Sequence, residues 1–344
     1  MGDGAGAAAI PPPGPNLIGL QCGPTGLVTP RARQKAPDPA GTTTVHGVAK
    51  THPTPPSRRD FRDIQVLGSG SFGDVMLAVN KRTGQKVALK ALAKKRLNTQ
   101  KRFEHAMNER RTLEAVDSPF TTKLICAFQD RHNLYLAMEY VERGELFHLL
   151  QSHGPFRERA ATFYAGQIAL ALWYLHENKM VHRDVKPENI LIDATGHCKL
   201  TDFGFCKVVD DRTYSVCGTP EYTAPEIVLC QGYDCAVDWW SFGILVFELV
   251  SGYSPFKKVE HERRHLLLKK IVDGKIRYPR HFSTGLRDLL GGMLSKDTAY
   301  RRKVASKMRD HPWFRDTEWN AVESRSVPPP ILPQPLPRYV ETRW

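Results

Sequence analysis

From Phe61 onward the chain carries apolar positions at a period of two. Val75, Leu77 and Val79 alternate with other residues, and Val87-Ala88-Leu89 is a short apolar run closed by Lys90, so both stretches predict strands. A helix is expected over 102–115 and a further strand over 134–138. Beyond a link at 139–143 the pattern becomes helical. Tyr164, Ile168, Ala171, Leu172 and Leu175 fall at i, i+4, i+7, i+8 and i+11, one face of a helix, and a second apolar helix is expected over 239–250. A small sheet-rich unit with one helix thus precedes a mainly helical unit, an α+β arrangement. No internal repeat is present.

The two ends read differently. Residues 1–58 contain eleven Pro and nine Gly, above the roughly 25–30% at which an aperiodic segment is better read as disordered. Without apolar periodicity to offset the entropy of ordering, this segment is expected to be a tail. Residues 328–337 hold six Pro, which excludes a helix or a central strand there. Formal net charge is +13, from 49 basic and 36 acidic side chains. That balance fits a well-solvated basic surface, or attraction to anionic partners such as nucleotides, nucleic acid or membrane lipid; charge alone does not separate these. The seven cysteines lie at irregular spacing, with no pair at zinc-ligand spacing, and read as free thiols of a reducing compartment. No apolar run of about 18 residues is present, so no membrane span is expected. The N-terminus lacks the charged segment and apolar core of a signal peptide. Met1-Gly2 permits N-myristoylation, although Gly6 stands where Ser or Thr is wanted.

Candidate chemistry concentrates between Val181 and Gly204. Val181-His182-Arg183-Asp184-Val185-Lys186-Pro187-Glu188-Asn189 is followed, thirteen residues after Asn189, by Asp202-Phe203-Gly204. Two carboxylates, a lysine and an amide on neighbouring short loops are what phosphoryl transfer from a magnesium nucleotide requires. One carboxylate orients the attacking hydroxyl, hard oxygen ligands hold Mg²⁺, and a cation steadies the transferred group. Upstream, Gly68-Ser69-Gly70-Ser71-Phe72-Gly73 with Val75 fits Gly-x-Gly-x-x-Gly-x-Val. That pattern alone also suits a tight turn or a dinucleotide site, but the latter wants a helix after the glycines and an acid about twenty positions on. Here a strand is expected, and the residue seventeen positions after Gly73 is Lys90. Glycines let backbone amides approach phosphates, and Lys90 has the charge to engage them. Glu109, on the next helix, is the candidate anion to hold Lys90, against the plainer reading of one more solvated acid.

Over about residues 61–314 the chain resembles eukaryotic protein kinases of the AGC group, above all the catalytic subunits of cyclic-AMP-dependent protein kinase. The motifs that carry the resemblance are Gly68 to Val75, Lys90, Glu109, His182 to Asn189, Asp202 to Gly204, and Ala224-Pro225-Glu226. Closer likeness rests on Phe205 after Gly204, on Cys217-Gly218-Thr219-Pro220-Glu221-Tyr222, and on Gly232-Tyr233 leading to Asp238-Trp239-Trp240. The resemblance implies a two-lobed fold: a tail over 1–58 and a kinase domain over 59–314. Within that domain a small antiparallel lobe with one regulatory helix spans 61–138, a hinge 139–143 and a larger helical lobe 144–314. Residues 315–344 would be a truncated C-terminal tail, hugging the surface or offering Pro-rich sequence to an SH3-type domain.

It also implies an enzyme that uses ATP and Mg²⁺ to phosphorylate Ser or Thr. Asp184 would orient the substrate hydroxyl, Lys186 contact the γ-phosphate, Asn189 and Asp202 bind Mg²⁺, and Thr219 buttress Asp184 and Lys186. Leu67, Gly68, Gly70, Ser71, Phe72, Gly73, Val75, Ala88, Lys90, Glu109, Met138, Glu139, Val141, Glu145, Leu191 and Asp202 would surround ATP, with Leu146 also against the adenine. Leu113, Leu124, His182 and Phe203 would stack as a hydrophobic spine, and Glu226 pair with Arg301. Glu145, Glu188 and Glu248 would hold arginines upstream of the acceptor, and Ser215 would be an activating phosphosite received by Arg183, Lys207 and His105. An inhibitory cAMP-binding regulatory subunit is an implied partner and nucleic acid is not; the implied location is the cytoplasm, with entry to the nucleus open. The rival from another class is a pseudokinase-like scaffold, and within the enzymes another AGC kinase with different regulation. Departures from the family pattern are Thr223 in place of leucine beside the pocket after the acceptor, a shortened loop at 302–308, and a basic stretch over 257–270. That stretch is either an exposed helix face or a docking site for an acidic partner.

Overall fold

Edge strands and central strands divide the small lobe. In the computed structural model, which describes residues 55–69, 73–256 and 263–331, β1 (Phe61–Ser69), β2 (Gly73–Asn80), β3 (Lys86–Ala93), β4 (Leu124–Gln129) and β5 (Asn133–Glu139) form an antiparallel sheet in the order β1-β2-β3-β5-β4. The register sets Lys90 between Val75 and Leu136, and Ala88 between Leu77 and Met138. Side chains alternate faces along a strand, so Ala88 and Lys90 share one face. Helix α1 (Gln100–Ala115) begins at Thr99, whose hydroxyl accepts the Arg102 N–H at 3.3 Å. It buries Ala106, Glu109 and Leu113. Ser57 and Asp60 cap a single turn, Arg58–Asp60, just ahead of β1. Residues 1–54 and the glycine-loop members Gly70, Ser71 and Phe72 lie outside the described residues.

The large lobe is built on α3 (Glu158–Glu177) and α5 (Ala236–Ser251), which follow α2 (Leu146–His153) and bury residues almost all round. Between them run β6 (Met180–Val181), β7 (Ile190–Ile192), β8 (Cys198–Leu200) and β9 (Lys207–Val208), paired β6 with β9 and β7 with β8. These short ribbons carry the two chemical loops at their ends. Beyond them come α4 (Pro225–Val228), α6 (Arg264–Asp273), α7 (Thr284–Met293), α8 (Thr298–Ser306) and α9 (Trp319–Glu323). The expected loop at 302–308 is a correction: residues through Ser306 continue α8, capped by Asp297 on the Ala299 and Tyr300 N–H groups. Among the described residues no helix is long and apolar enough to cross a membrane, and Cys126, Cys198, Cys206, Cys217, Cys230 and Cys235 are free thiols.

The described part of the C-terminal stretch lies on the large lobe. Helix α9 packs on α3, Tyr164 donates its hydroxyl to the Ile331 carbonyl at 3.2 Å, and Val327 and Ile331 sit against the core. Arg325 pairs with Asp193. Residues 332–344 lie outside the described residues.

Candidate active site

Asp238, near the start of α5, anchors the catalytic loop from beneath. Fully buried, it accepts the backbone N–H groups of His182 (2.9 Å) and Arg183 (2.7 Å) and lies 2.8 Å from His176 Nε2. Burial alone would raise its pKa; His176, His182 and the Arg183 N–H outweigh this and hold the carboxyl below its usual range. Arg183 is thereby kept at φ +68°, a left-handed conformation that a non-glycine residue holds only when its surroundings determine it. His182 meets the Thr201 carbonyl through Nε2 (3.1 Å) and the Asp184 N–H through Nδ1 (3.3 Å), which fits a ring protonated at Nε2. Its ring is edge-on to Phe203, which is fully buried, with Leu113 buried and Leu124 half-buried nearby in the same core.

Asp184 is held on both oxygens. Oδ1 accepts from the N–H (2.8 Å) and hydroxyl (2.7 Å) of Thr219; Oδ2 accepts from the Asn189 amide (3.0 Å) and lies 3.0 Å from Lys186 Nζ. Lys186 donates to the Thr219 hydroxyl at 2.7 Å, closing the triangle. Gly218 lets the two loops meet: it sits at φ +92°, and a Cβ there would lie 2.5 Å from the Arg183 carbonyl oxygen.

Across a cleft of about 800 Å³, Lys90 donates to Glu109 at 2.6 Å and lies 3.6 Å from Asp202. Burial would lower the Lys90 pKa, but Glu109 and Asp202 outweigh it and keep the ammonium charged. Burial likewise works to raise the Asp202 pKa, and Lys90, His182 and the Gly204 N–H overcome it, so the carboxylate stays ionised. Asp202 takes φ +60°, which turns it into the cleft. Leu67, Gly68, Gly73, Val75, Ala88, Met138, Glu139, Val141, Glu145 and Leu191 line the same cleft. Leu146 does not: it is fully buried in the core at the start of α2, because helical geometry turns it away from the cleft that Glu145 faces. Among the described residues no three His, Cys, Asp or Glu converge as a metal site. Asn189 and Asp202 offer two oxygens at the cleft, a set that suits a hard ion arriving with phosphate ligands of its own.

Three carboxylates border the catalytic loop. Glu188 has one oxygen, Oε2, buried without a hydrogen-bond partner, and its charge bears on both Glu145 and Glu248. Burial first, then Glu188 and Glu221, raises the Glu248 pKa; burial does the same at Glu145. Glu248 accepts the Tyr222 hydroxyl. On the other flank Arg183 donates to the Ser215 hydroxyl at 2.5 Å and to the Tyr233 hydroxyl at 3.2 Å, and Tyr233 donates to the Ser215 carbonyl at 2.5 Å. Lys207 reaches Thr213 at 2.9 Å, and Thr213 lies 3.4 Å from Ser215. His105 packs edge-on to Phe205, whose carbonyl accepts from Arg183 Nε; burial and the charges of Lys101 and Arg183 hold the His105 pKa down.

Sequence reading gives Tyr233 and Asp238 no role beyond their place in the resemblance, and it misses Lys101. The signal for Asp238 was an acid in the first turn of a largely apolar helix, since a buried carboxylate demands partners. Lys101, on the first turn of α1 and one turn before His105, bears with its charge on His105 and Cys217.

The chain compares with known proteins as follows. A protein kinase domain model matches residues 61–314. The chain is 41% identical to the cAMP-dependent protein kinase catalytic subunit PRKX of Homo sapiens, over 82% of its own length and 80% of that protein's. It is 43% identical to the cAMP-dependent protein kinase catalytic subunit of Schizosaccharomyces pombe over 80% of this chain and 54% of that one. With cAMP-dependent protein kinase type 3 of Saccharomyces cerevisiae the identity is 40%, over 80% and 70% respectively.

Proposed function

The chain belongs to the protein kinase family, and from that premise we propose that it passes the ATP γ-phosphate to Ser or Thr residues preceded by arginines. That it is an ATP-dependent serine/threonine protein kinase follows from the family and its relatives. The arginine context rests on Glu188: it lines the cleft, its Oε2 is buried with no hydrogen-bond partner, and its charge bears on Glu145 and Glu248. A carboxylate oxygen buried without a partner is costly, and a guanidinium satisfies a carboxylate with two parallel charged hydrogen bonds. Glu188→Ala should therefore raise KM for Arg-containing peptides by about 10- to 100-fold with kcat little changed. Peptides lacking Arg should hardly notice. Equal effects on both classes in steady-state kinetics would count against arginine selection.

Asp184 orients the incoming hydroxyl and accepts its proton, with Thr219 and Asn189 fixing the carboxylate. Lys186 faces the transferred phosphoryl group, and Lys90, steadied by Glu109, holds the other phosphates. Asn189 and Asp202 would hold Mg²⁺, which when bound neutralises charge on the phosphates. No feature of the site favours the rival scaffold without chemistry.

Ser215 is proposed as an activating phosphosite. A phosphate there adds about −1.5 to −2 charge at neutral pH beside the cations Arg183 and Lys207, with Lys101 and the neutral ring of His105 on α1 close enough to feel it. Its charge thus draws on three separate elements and favours protonation of His105. Ser215→Ala should lower kcat/KM by roughly 10- to 100-fold. Arg212, three residues upstream, makes the loop resemble the enzyme's own substrate, so Arg212→Ala should impair self-phosphorylation specifically. Phosphopeptide mass spectrometry with peptide assays checks both; full activity in Ser215→Ala with no other loop phosphate would rule out the switch. An inhibitory cAMP-binding regulatory subunit, as the relatives' names suggest, and a cytoplasmic location open to the nucleus complete the proposal.

A further inference from the structure

Between Arg263 and Ser283 the chain carries seven Lys or Arg and one carboxylate, Asp273. Arg263, Arg264 and Lys269 are exposed on and beside α6, which buries Leu267 and Ile271 on its inner side. The chain then runs extended with alternating exposure: Lys275 and Arg277 face solvent while Ile276 and Tyr278 pack on the core, and Arg280 is exposed after them. Among the described residues none of these six side chains has an acidic partner or a hydrogen bond. Like charges gathered along one stretch without acidic partners raise the local positive potential, which an anionic occupant lowers.

The two ends of the chain do not supply that occupant, and Glu260 and Glu262, just before Arg263, lie outside the described residues. The first 58 residues carry only Asp3 and Asp38 against five Lys or Arg, and residues 332–344 carry only Glu341 against two Arg. A second copy brings the same +13. Position argues for the type of partner. Helix α6 packs on the turn Pro220–Tyr222 and on α4. That turn follows Thr219, which holds Asp184, and Tyr222 binds Glu248. A protein whose acceptor sits at Asp184 therefore brings its flanking sequence alongside the basic face. Tyr253, half exposed, and Tyr278 flank Phe247, so the extended part of the face adjoins the end of α5, the helix of Glu248. Leu266 is the one large apolar side chain of α6 strongly exposed, at 43%, so the face offers charge and little that would wedge into a bilayer.

The geometry points to a docking site, formed by Arg263, Arg264, Lys269, Lys275, Arg277 and Arg280, for an acidic segment of the protein substrate remote from its phosphorylated residue. This rests on the kinase reading and adds a second determinant to it: arginines beside the acceptor, acids at a distance. Exposed charges act on encounter and on KM more than on the chemical step.

The test uses the purified full chain and an Arg-containing serine peptide. The peptide is joined through a Gly/Ser linker of about ten residues, spanning roughly 15–20 Å on average, to a run of glutamates or to a matching run of glutamines. The tract is placed on either side. The glutamate version should show a KM about five- to tenfold lower in one orientation, with kcat unchanged. The advantage should fade near 0.5 M salt, where the Debye length falls to a few Å. It should also vanish in Lys275→Glu/Arg277→Glu/Arg280→Glu and in Arg263→Glu/Arg264→Glu. Unaltered kinetics on the untailed peptide show that each variant is folded. Equal KM for the two tails, or an advantage that survives both charge reversals, overturns the site. So does binding to phosphatidylserine vesicles through these residues without any gain from glutamate, which would make the face a lipid surface. If the untailed peptide proves a poor substrate, arginine selection fails on its own account, and the two tails are compared on whichever peptide the enzyme prefers.

Discussion

Asp184→Asn should lower kcat by about 10²–10⁴-fold while leaving the fold and nucleotide affinity largely intact. The carboxamide keeps the size of the buried carboxylate, and its oxygen can still accept from the Thr219 N–H and hydroxyl, now 2.8 and 2.7 Å from Oδ1. What disappears is the negative charge that accepts a proton, together with the oxygen facing Lys186 and the Asn189 amide. An amide nitrogen placed there meets two donors and gains no acceptor, so Lys186 loosens as well. Asp202→Asn should act on a different quantity. It removes a charged ligand and the second anion near Lys90, so Mg²⁺-ATP binding weakens before turnover does. Single-turnover kinetics and a nucleotide titration separate the two. Wild-type turnover in Asp184→Asn, or unchanged nucleotide affinity in Asp202→Asn, would contradict the assignment.

The residues proposed to carry the chemistry could be picked out of the sequence because each role admits few side chains, and their order along the chain places them on short loops. Helices α3 and α5 were readable from their apolar positions. Strands β1 and β4 were not, and the sheet order explains why: both are edges. Strand β1 buries only Phe61, leaving no alternation to see, and β4 is a run of half-buried residues without a polar face. Helix α8 escaped for the opposite reason, since it buries only Arg301 and Ala305 and reads as a polar loop. Asp238 and Tyr233 could not be placed by spacing at all. Their partners lie 55 residues away at Arg183 and 18 at Ser215, and such contacts exist only once the chain is folded. Leu146 shows the converse, a position that resemblance sets against the adenine and helical geometry turns into the core.

The ion pair between Glu226 and Arg301 gives the largest expected effect on stability. Arg301 is fully buried on α8 and Glu226 nearly so on α4, with Nη1–Oε1 at 2.6 Å and Nη2–Oε2 at 3.4 Å. The guanidinium also donates to the Ser295 and Ala236 carbonyls and lies 5.1 Å from the centre of the Trp240 ring. Such a pair gives little net stability over an apolar substitute, because two charges had to be dehydrated to form it; removing one member is different, since it strands the other. Glu226→Ala should therefore destabilise the domain by about 3–5 kcal/mol, read as a lower urea midpoint at unchanged slope. Glu226→Leu/Arg301→Met should recover most of that loss. Activity is expected to stay low in the double variant. The pair ties α4 to α8 directly after Pro220–Tyr222, and aliphatic contacts lack the directional hydrogen bonds that fix that turn beside Thr219 and Asp184. A double variant with both stability and kcat restored would mean that the pair serves packing alone. One as unstable as Glu226→Ala would mean that the carbonyl partners of Arg301, more than Glu226, hold α8 in place.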